Sequence, residues 1–317
     1  MTAPGHRDLS VRFHGVRGSI PSPAPANMRY GGNTSCVEVR CGDQLLILDA
    51  GSGLRLLGEE LLREAGSRPI EATLLLSHTH WDHIQGLPFF APGYSERNRV
   101  RILSAHGRGA RMQRALANQM SPMHFPVGLE QMRGLAPVAE LDGGATTLHN
   151  LVLRTLELNH PGGCSGFRIE ADGKSLGYLP DHEPYRTVAG GGSQAAGLAP
   201  QELLEFVHGL DLLILDTQYT AEEYTHRFGW GHGCLPDSVQ LAIEAGVRRL
   251  VLFHHDPAHD DERIDTMVET ARALARGSNL LVDAAIENET LVLMPANPLQ
   301  TPILSARSPS GPKAVTA

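Results

Sequence analysis

The chain is expected to fold as a layered α/β domain, and three observations predict it. Short apolar runs are interleaved with segments of helical periodicity between residues 9 and 295. A strand-rich first half gives way to a second half in which helices and strands alternate, the order of layered α/β proteins. Each unusual cluster of polar residues falls directly after an apolar run, where a strand ends and where such folds place their ligands. The composition agrees: 41 % hydrophobic and 20 % charged residues are globular values, and 34 glycines with 21 prolines imply tight connections rather than coiled coils or long bundles. A length of 317 residues allows two domains or one large one. Nothing in the sequence divides it, so one domain over 9–298 is expected, with 299–317 a disordered tail by composition.

Taken in order, "LSVRFH" (9–14) reads as a strand and "CVEVRCGDQLLILDA" (36–50) as a hairpin turning at "CGDQ". Between them, "GVRGSIPSPAPANMRYGGNTS" is a long Gly/Pro/Asn/Ser loop, a length that in a compact domain points to function or disorder. "LRLLGEELLREAG" (54–66) repeats its apolar positions at helical spacing and stops at glycine. "ATLLL" is a buried strand, followed by "VRILSA" as strand, "GARMQRALANQM" as helix and "SPMHFPVGLEQMRG" as an irregular connection. "LVLRTLEL", "GFRIEA" and "SLGYLP" read as strands, "AGGGSQAAGLAP" (189–200) as a flexible loop and "QELLEFVHG" as a helix. "DLLILDTQY", "PDSVQLAIEAG", "RRLVLFHH", "DERIDTMVETARALARG", "NLLVDAA" and "ETLVLMP" then give strand, helix, strand, helix, strand, strand, with no sequence repeat.

The net charge of −8 argues against an electrostatic, sequence-independent hold on nucleic acid. The Arg-rich stretch "RNRVRILSAHGRGARMQR" (97–114) reads as a solvated face. No run approaches the roughly 20 apolar residues of a membrane span, and the N-terminus lacks a basic start followed by an apolar core, so a cytoplasmic protein is expected. Cys36, Cys41, Cys164 and Cys234 form no CxxC pair and are expected to be buried or reduced thiols rather than a disulfide framework.

The chemistry is concentrated in "HTHWDH". His78, His80, Asp82 and His83 crowd into six positions after a strand, where a bound cation would use their nitrogens and offset the repulsion of the rings. His78 and His80 can face one point, and Asp82 and His83 a second point nearby. Four ligands in one loop cannot close two sites, so further donors are expected at later strand ends: His160 in "LELNHPGG", Asp181 or His182 in "GYLPDHEP", and His254 or His255 in "RRLVLFHHDP".

With these residues the sequence resembles the metallo-β-lactamase superfamily, whose HxHxDH signature "HTHWDH" fits and whose later His, Asp and His follow in order over roughly residues 9–295. The resemblance implies a four-layer αββα sandwich and two divalent cations, Zn2+ with Mn2+ or Fe2+ as alternatives. His78, His80 and His160 would hold one, Asp82, His83 and His254 the other, and Asp181 would bridge them; His254 is chosen over His255 because "RLVLFHHDP" is similar to the family segment L-x-L-T-H. Two cations roughly 3.5–4 Å apart would share a water, lower its pKa from ~15.7 toward about 7, and present a hydroxide in line with a phosphoryl or carbonyl centre. Asp82 would orient that water or accept its proton.

"DLLILDTQYTAEEY" followed by "GWGHGCLPDSVQLAIEAGVRRLVLFHHDP" is similar to the phosphodiesterase branch, which contains transfer-RNA 3′-end endonucleases and cyclic-phosphate phosphodiesterases. The similarity implies that His232 protonates the leaving oxygen and that Asp216 holds its ring in the productive tautomer. The branch usually has Glu where this chain has Asp216 and Ser where it has Gly233. The loop 13–36 looks like the opening loop of bacterial members, in which Arg17, Arg29 and Asn33 would meet a substrate phosphate.

The acidic balance favours a small phosphodiester, a cyclic nucleotide, over a large nucleic acid. The alternatives are a transfer-RNA 3′-processing endoribonuclease and a lactone or thioester hydrolase. A redox iron protein ranks last, because its usual Glu is His80 here and the chain has no room for a flavin domain. Relatives in the family are often dimers, which implies a homodimer here, with no membrane partner.

Overall fold

The computed structural model describes residues 8–185 and 200–293. The first sheet uses β1 (Leu9–Gly15), β2 (Cys36–Cys41), β3 (Gln44–Leu48), β4 (Glu71–Leu75), β5 (Arg99–Ser104) and β6 (Ala139–Glu140). The second uses β7 (Thr146–Leu148), β8 (Leu151–Leu158), β9 (Cys164–Ala171), β10 (Lys174–Leu179), β11 (Leu212–Asp216), β12 (Arg249–Phe253) and β13 (Leu281–Ala284). The chain then returns as β14 (Thr290–Leu293) to the free edge of β1.

Strand order is β14-β1-β2-β3-β4-β5-β6 in one sheet and β13-β12-β11-β10-β9-β8-β7 in the other. Each sheet has three antiparallel pairings up to β3 or β10 and then three parallel pairings, so the same pairing pattern occurs twice. The absence of a sequence repeat therefore conceals a repeat of architecture.

Alternation within the strands builds the layers. Val11, Leu48, Leu75, Phe167, Ile214 and Phe253 are among the residues that fill the space between the sheets. The intervening positions face outward. Ile47, Leu74 and Ile102 receive α1 (Gly53–Ala65) and α3 (Gly109–Gln119) through Leu54, Leu57, Met112 and Leu116. Leu213, Leu215, Leu250 and Leu252 receive α4 (Pro200–Val207), α6 (Leu235–Glu244) and α7 (Asp261–Leu274). The result is the αββα order. Strands β11 and β12 read as continuous apolar runs because both their faces are covered.

Some short elements were not expected. Trp81–Ile84 forms a single helical turn, α2, within the histidine cluster, and Ala221–Tyr224 forms α5 with a capping box from Thr220 and Glu223. Both are too short to show a period. β6 and β7 lie between "SPMHFPVGLEQMRG" and "LVLRTLEL", where no element was expected, and "DLLILDTQY" leaves the sheet at Asp216. The four cysteines are buried, and among the described residues none is in a disulfide. The expected loop 189–200 lies outside the described residues up to residue 199, as do the tail 299–317 and the domain's last residues, 294–298. Among the described residues no helix is long and apolar enough to cross a membrane.

Candidate metal centre

The ends of the parallel strands converge. β3 delivers Asp49, β4 delivers Ser77 and the histidine cluster, β10 delivers Asp181, β11 ends on Asp216 and β12 is followed by His254. The repeated topology makes β3 and β10 equivalent, so Asp49 and Asp181 occupy matching places in the two sheets.

Among the described residues three groups of side chains have their donor atoms within 4.8 Å of one another: His78, His80, His160 and Asp181; Asp82, His83, Asp181 and His254; and Asp216, His232 and His254. Asp181 belongs to the first two and His254 to the last two. Asp181 Oδ1 lies 3.0 Å from His83 Nε2 and 3.3 Å from His254 Nε2; its Oδ2 lies 3.5 Å from both His78 Nε2 and His160 Nε2. Asp82 Oδ2 lies 3.1 Å from His254 Nε2 and 3.2 Å from His83 Nε2, and it accepts the Ser19 amide at 2.8 Å. The residues of the first two groups are buried except His80, which stands at the rim.

These residues fit a pair of divalent cations. Both oxygens of Asp181 and Nε2 of His78 are buried without a hydrogen-bond partner among the described residues, a costly state for such atoms and the one expected of ligands. Imidazole nitrogen and carboxylate oxygen are the donors that zinc and similar ions take. The second nitrogens are held in turn: His160 Nδ1 by Gly231 O (2.7 Å), His254 Nδ1 by Gln218 Oε1 (2.9 Å), His83 Nδ1 by Asp49 Oδ2 (2.8 Å) and His78 Nδ1 by Ser77 Oγ (3.0 Å). Such contacts fix ring orientation and leave Nε2 facing the centre.

Strain is concentrated here as well. Ser19, Asp49 and His254 all have positive φ (64°, 62° and 62°), a conformation that non-glycine residues rarely adopt and that costs roughly 1–3 kcal/mol each.

Charge in the cluster is balanced by protons when metal is absent. Burial opposes a charge on His254, but Asp181 and Asp82 outweigh it and raise its pKa to about 9. Burial likewise opposes a charge on His83, and Asp181, Asp82 and Asp49 hold its pKa well above the usual value. Burial pushes Asp82 up, but His83 and His254 bring it well below the ordinary carboxylate range. Metal must displace these protons. Zinc binding at pH 7 is expected to release at least about one proton per chain, with affinity climbing as pH rises toward about 9, read by calorimetry in buffers of different ionisation enthalpy. In the metal-free protein the sign for stability follows. His254 is raised above its unfolded value of 6.5, so its contribution is complete below that pH and is lost as pH rises through about 9.

Beside the cations' place stands His232. Its Nδ1 is 3.0 Å from Asp216 Oδ2, and its ring stacks on His254 at 4.9 Å and 20°. Asp216 is fully buried and also accepts the His182 and Gln218 amides, which pins the carboxylate. The structure thus brings together Asp82, His83, His78, His80, His160, Asp181, His254, His232 and Asp216. His255 points away to Ala285 O, and His182 Nδ1 faces the Asn159 amide; burial drives these two down to about 3 and about 4.

Three expected site residues are placed elsewhere. Arg17 is fully buried and donates to the carbonyls of Gly31, Asp256, His259 and Asn27, so its guanidinium staples the opening loop from within the fold instead of lying open to a phosphate. Arg29 pairs with Asp265, and Asn33 is taken by Glu287 and Ser52. The opening loop serves the site through its backbone, at the Ser19 amide.

The sequence reading missed Asp49, Gln218 and Glu183. Asp49 Oδ2 receives His83, Ser77 Oγ and the Tyr178 hydroxyl of the opposite sheet. Glu183 accepts the amides of Gly229 (2.6 Å) and Gly231 (2.9 Å) and the Tyr224 hydroxyl (2.9 Å), fixing the loop that carries both His232 and the carbonyl behind His160. Asp49 follows a strand in "LILDAGSG", as the other site acids do, and that was the available signal.

A family model described as a beta-lactamase superfamily domain matches residues 45–255. Among curated proteins, the chain is 25 % identical over 288 residues to Ribonuclease Z of Bradyrhizobium sp. (strain ORS 278), covering 80 % of this chain and 91 % of that one. It is 24 % identical over 300 residues to Ribonuclease Z of Thermoplasma acidophilum, covering 84 % and 91 %. Among solved structures, the metallo-beta-lactamase fold protein YhfI from Bacillus subtilis superposes with a TM-score of 0.66 at 18 % identity, over 90 % of this chain and 99 % of that one.

Proposed function

Because the chain belongs to the metallo-β-lactamase superfamily, and to its metal-dependent hydrolases, we propose that it is a dinuclear phosphodiesterase that cleaves nucleotide phosphodiesters. The observation that carries the reading is the His232–Asp216 pair beside the two-cation ligand set. Two divalent cations, zinc by the donor set, would supply Lewis acidity toward the phosphoryl oxygens and acidify the attacking water. The chain's own residues do the rest. His78, His80, His160, Asp82, His83, His254 and Asp181 would hold the cations, and Asp82 would orient the attacking water. His232, with Nδ1 committed to Asp216, has Nε2 free to donate a proton to the departing oxygen. Hydrolysis of a lactone or thioester has less need of such a donor than expulsion of an alkoxide.

For the substrate, the acidic balance supports a cyclic nucleotide, while the ribonuclease names of the relatives support an RNA 3′ end equally. The test of the class is metal analysis with a substrate panel. About two metals per chain and turnover of bis(p-nitrophenyl) phosphate are expected. Turnover of lactones or thioesters with none of the phosphodiester would sink the reading.

A further inference from the structure

Two sequence features have no part in this hydrolysis: the glycine pair after His160, and the arginines at the start of α3, expected as a solvated face. The structure sets them against each other. Gly162 and Gly163 are both left-handed, with φ of 80° and 83°. A Cβ on Gly163 would come within 2.4 Å of Arg108 Nη2; one on Gly162 would lie 3.6 Å from Arg111 Nη2 and 3.8 Å from His80 Nε2. The glycines thus leave a notch through which two guanidiniums approach the rim of the metal centre. The notch opens into a groove of about 540 Å³ lined by His106, Arg108, Arg111, Glu157 and the glycines.

Most of the polar groups in this groove are already committed. Arg108 is paired with Glu157. Glu140 accepts the amides of Gly107 (2.8 Å) and Gly109 (2.7 Å) at the start of α3. Arg111 differs: Nη1 donates to Gly162 O at 3.0 Å, and among the described residues no carboxylate is within ion-pair distance of it. It is an anchored cation with donors to spare beside a metal ligand, and a guanidinium fork matches two oxygens of one phosphate. The scissile phosphate would be engaged at the cations, so the anion for Arg111 is another one.

We propose that Arg111 binds a second phosphate of the substrate, next to the scissile phosphodiester, so that the enzyme prefers nucleotide substrates with two phosphates over a cyclic nucleotide with one. This rests on the phosphodiesterase reading. The test compares kcat/KM of the metal-loaded protein for thymidine 5′-(p-nitrophenyl phosphate) with kcat/KM for the same ester carrying a 3′-phosphate, and for its 3′-linked dinucleotide. The second phosphate is expected to raise kcat/KM about ten-fold, a ratio that falls toward one in Arg111→Ala, partly returns in Arg111→Lys and persists in Arg63→Ala, an exposed arginine on α1. An advantage confined to the 3′-monoester identifies a terminal phosphate; an equal one in the dinucleotide identifies the internucleotide phosphate. Equal rates for all esters in the wild type, or a ratio that Arg111→Ala leaves in place, overturns the second-phosphate site alone. No hydrolysis of any ester overturns the phosphodiesterase reading and this site with it.

Discussion

Asp181→Ala is expected to abolish phosphodiester turnover, on the order of 10³-fold or more, and to lower bound metal from about two per chain, because one carboxylate would serve both cation positions. Its two oxygens lie 3.0–3.5 Å from nitrogens of His83, His254, His78 and His160, and among the described residues it alone belongs to both four-residue groups. Asp181→Asn separates charge from shape. The amide keeps the volume but removes the anion that faces His83 and His254, and breaking a buried charged contact of this kind costs about 3–5 kcal/mol. Both variants should therefore bind zinc weakly, while Asp181→Asn should unfold at lower temperature than the wild type whenever chelator is present. Metal analysis, bis(p-nitrophenyl) phosphate turnover and thermal unfolding read the three effects. Retention of two metals with turnover within ten-fold of wild type would mean that Asp181 is not the shared ligand.

The clustering of these residues was legible because they are conspicuous where they stand. Imidazoles crowded after "ATLLL" have no cheap explanation without a cation, and each later donor follows an apolar run of its own. The layers were legible for a related reason: β4, β11 and β12 are long enough in apolar residues to show themselves, whereas α2 and α5, a single turn each, carry no period. Arg17 shows the opposite case. An arginine in a Gly/Pro loop suits a phosphate and a cage of carbonyls equally, and only the positions of Gly31, Asp256 and His259, far apart in sequence, decide for the cage. The doubled topology left no trace because pairing pattern, rather than residue identity, is what the two sheets share.

His232→Ala tests the acid, and the leaving group sets the size of the effect. An alkoxide departs poorly without a proton, so loss of the donor is expected to slow cleavage of a ribose-linked phosphodiester by about 10²–10⁴-fold. p-Nitrophenolate disperses its charge and needs little protonation, so turnover of its esters should fall far less, with two metals still bound. An equal loss on both substrates would assign His232 to metal retention or structure rather than to proton transfer. The position of His232 also explains the two departures from the branch pattern. A Cβ at residue 233 would lie 2.0 Å from the carbonyl oxygen of Asp216, so Gly233 lets the 232–234 segment close on the end of β11, where Tyr219 N donates to Gly233 O at 2.9 Å. That closeness is what an Asp, shorter by one methylene than Glu, requires to reach His232 Nδ1 at 3.0 Å. Gly233→Ser should therefore reproduce the leaving-group signature of His232→Ala in weaker form, and Gly233→Ser combined with Asp216→Glu should recover part of the alkoxide rate; failure of the pair to exceed either single variant would show that the two positions are not matched.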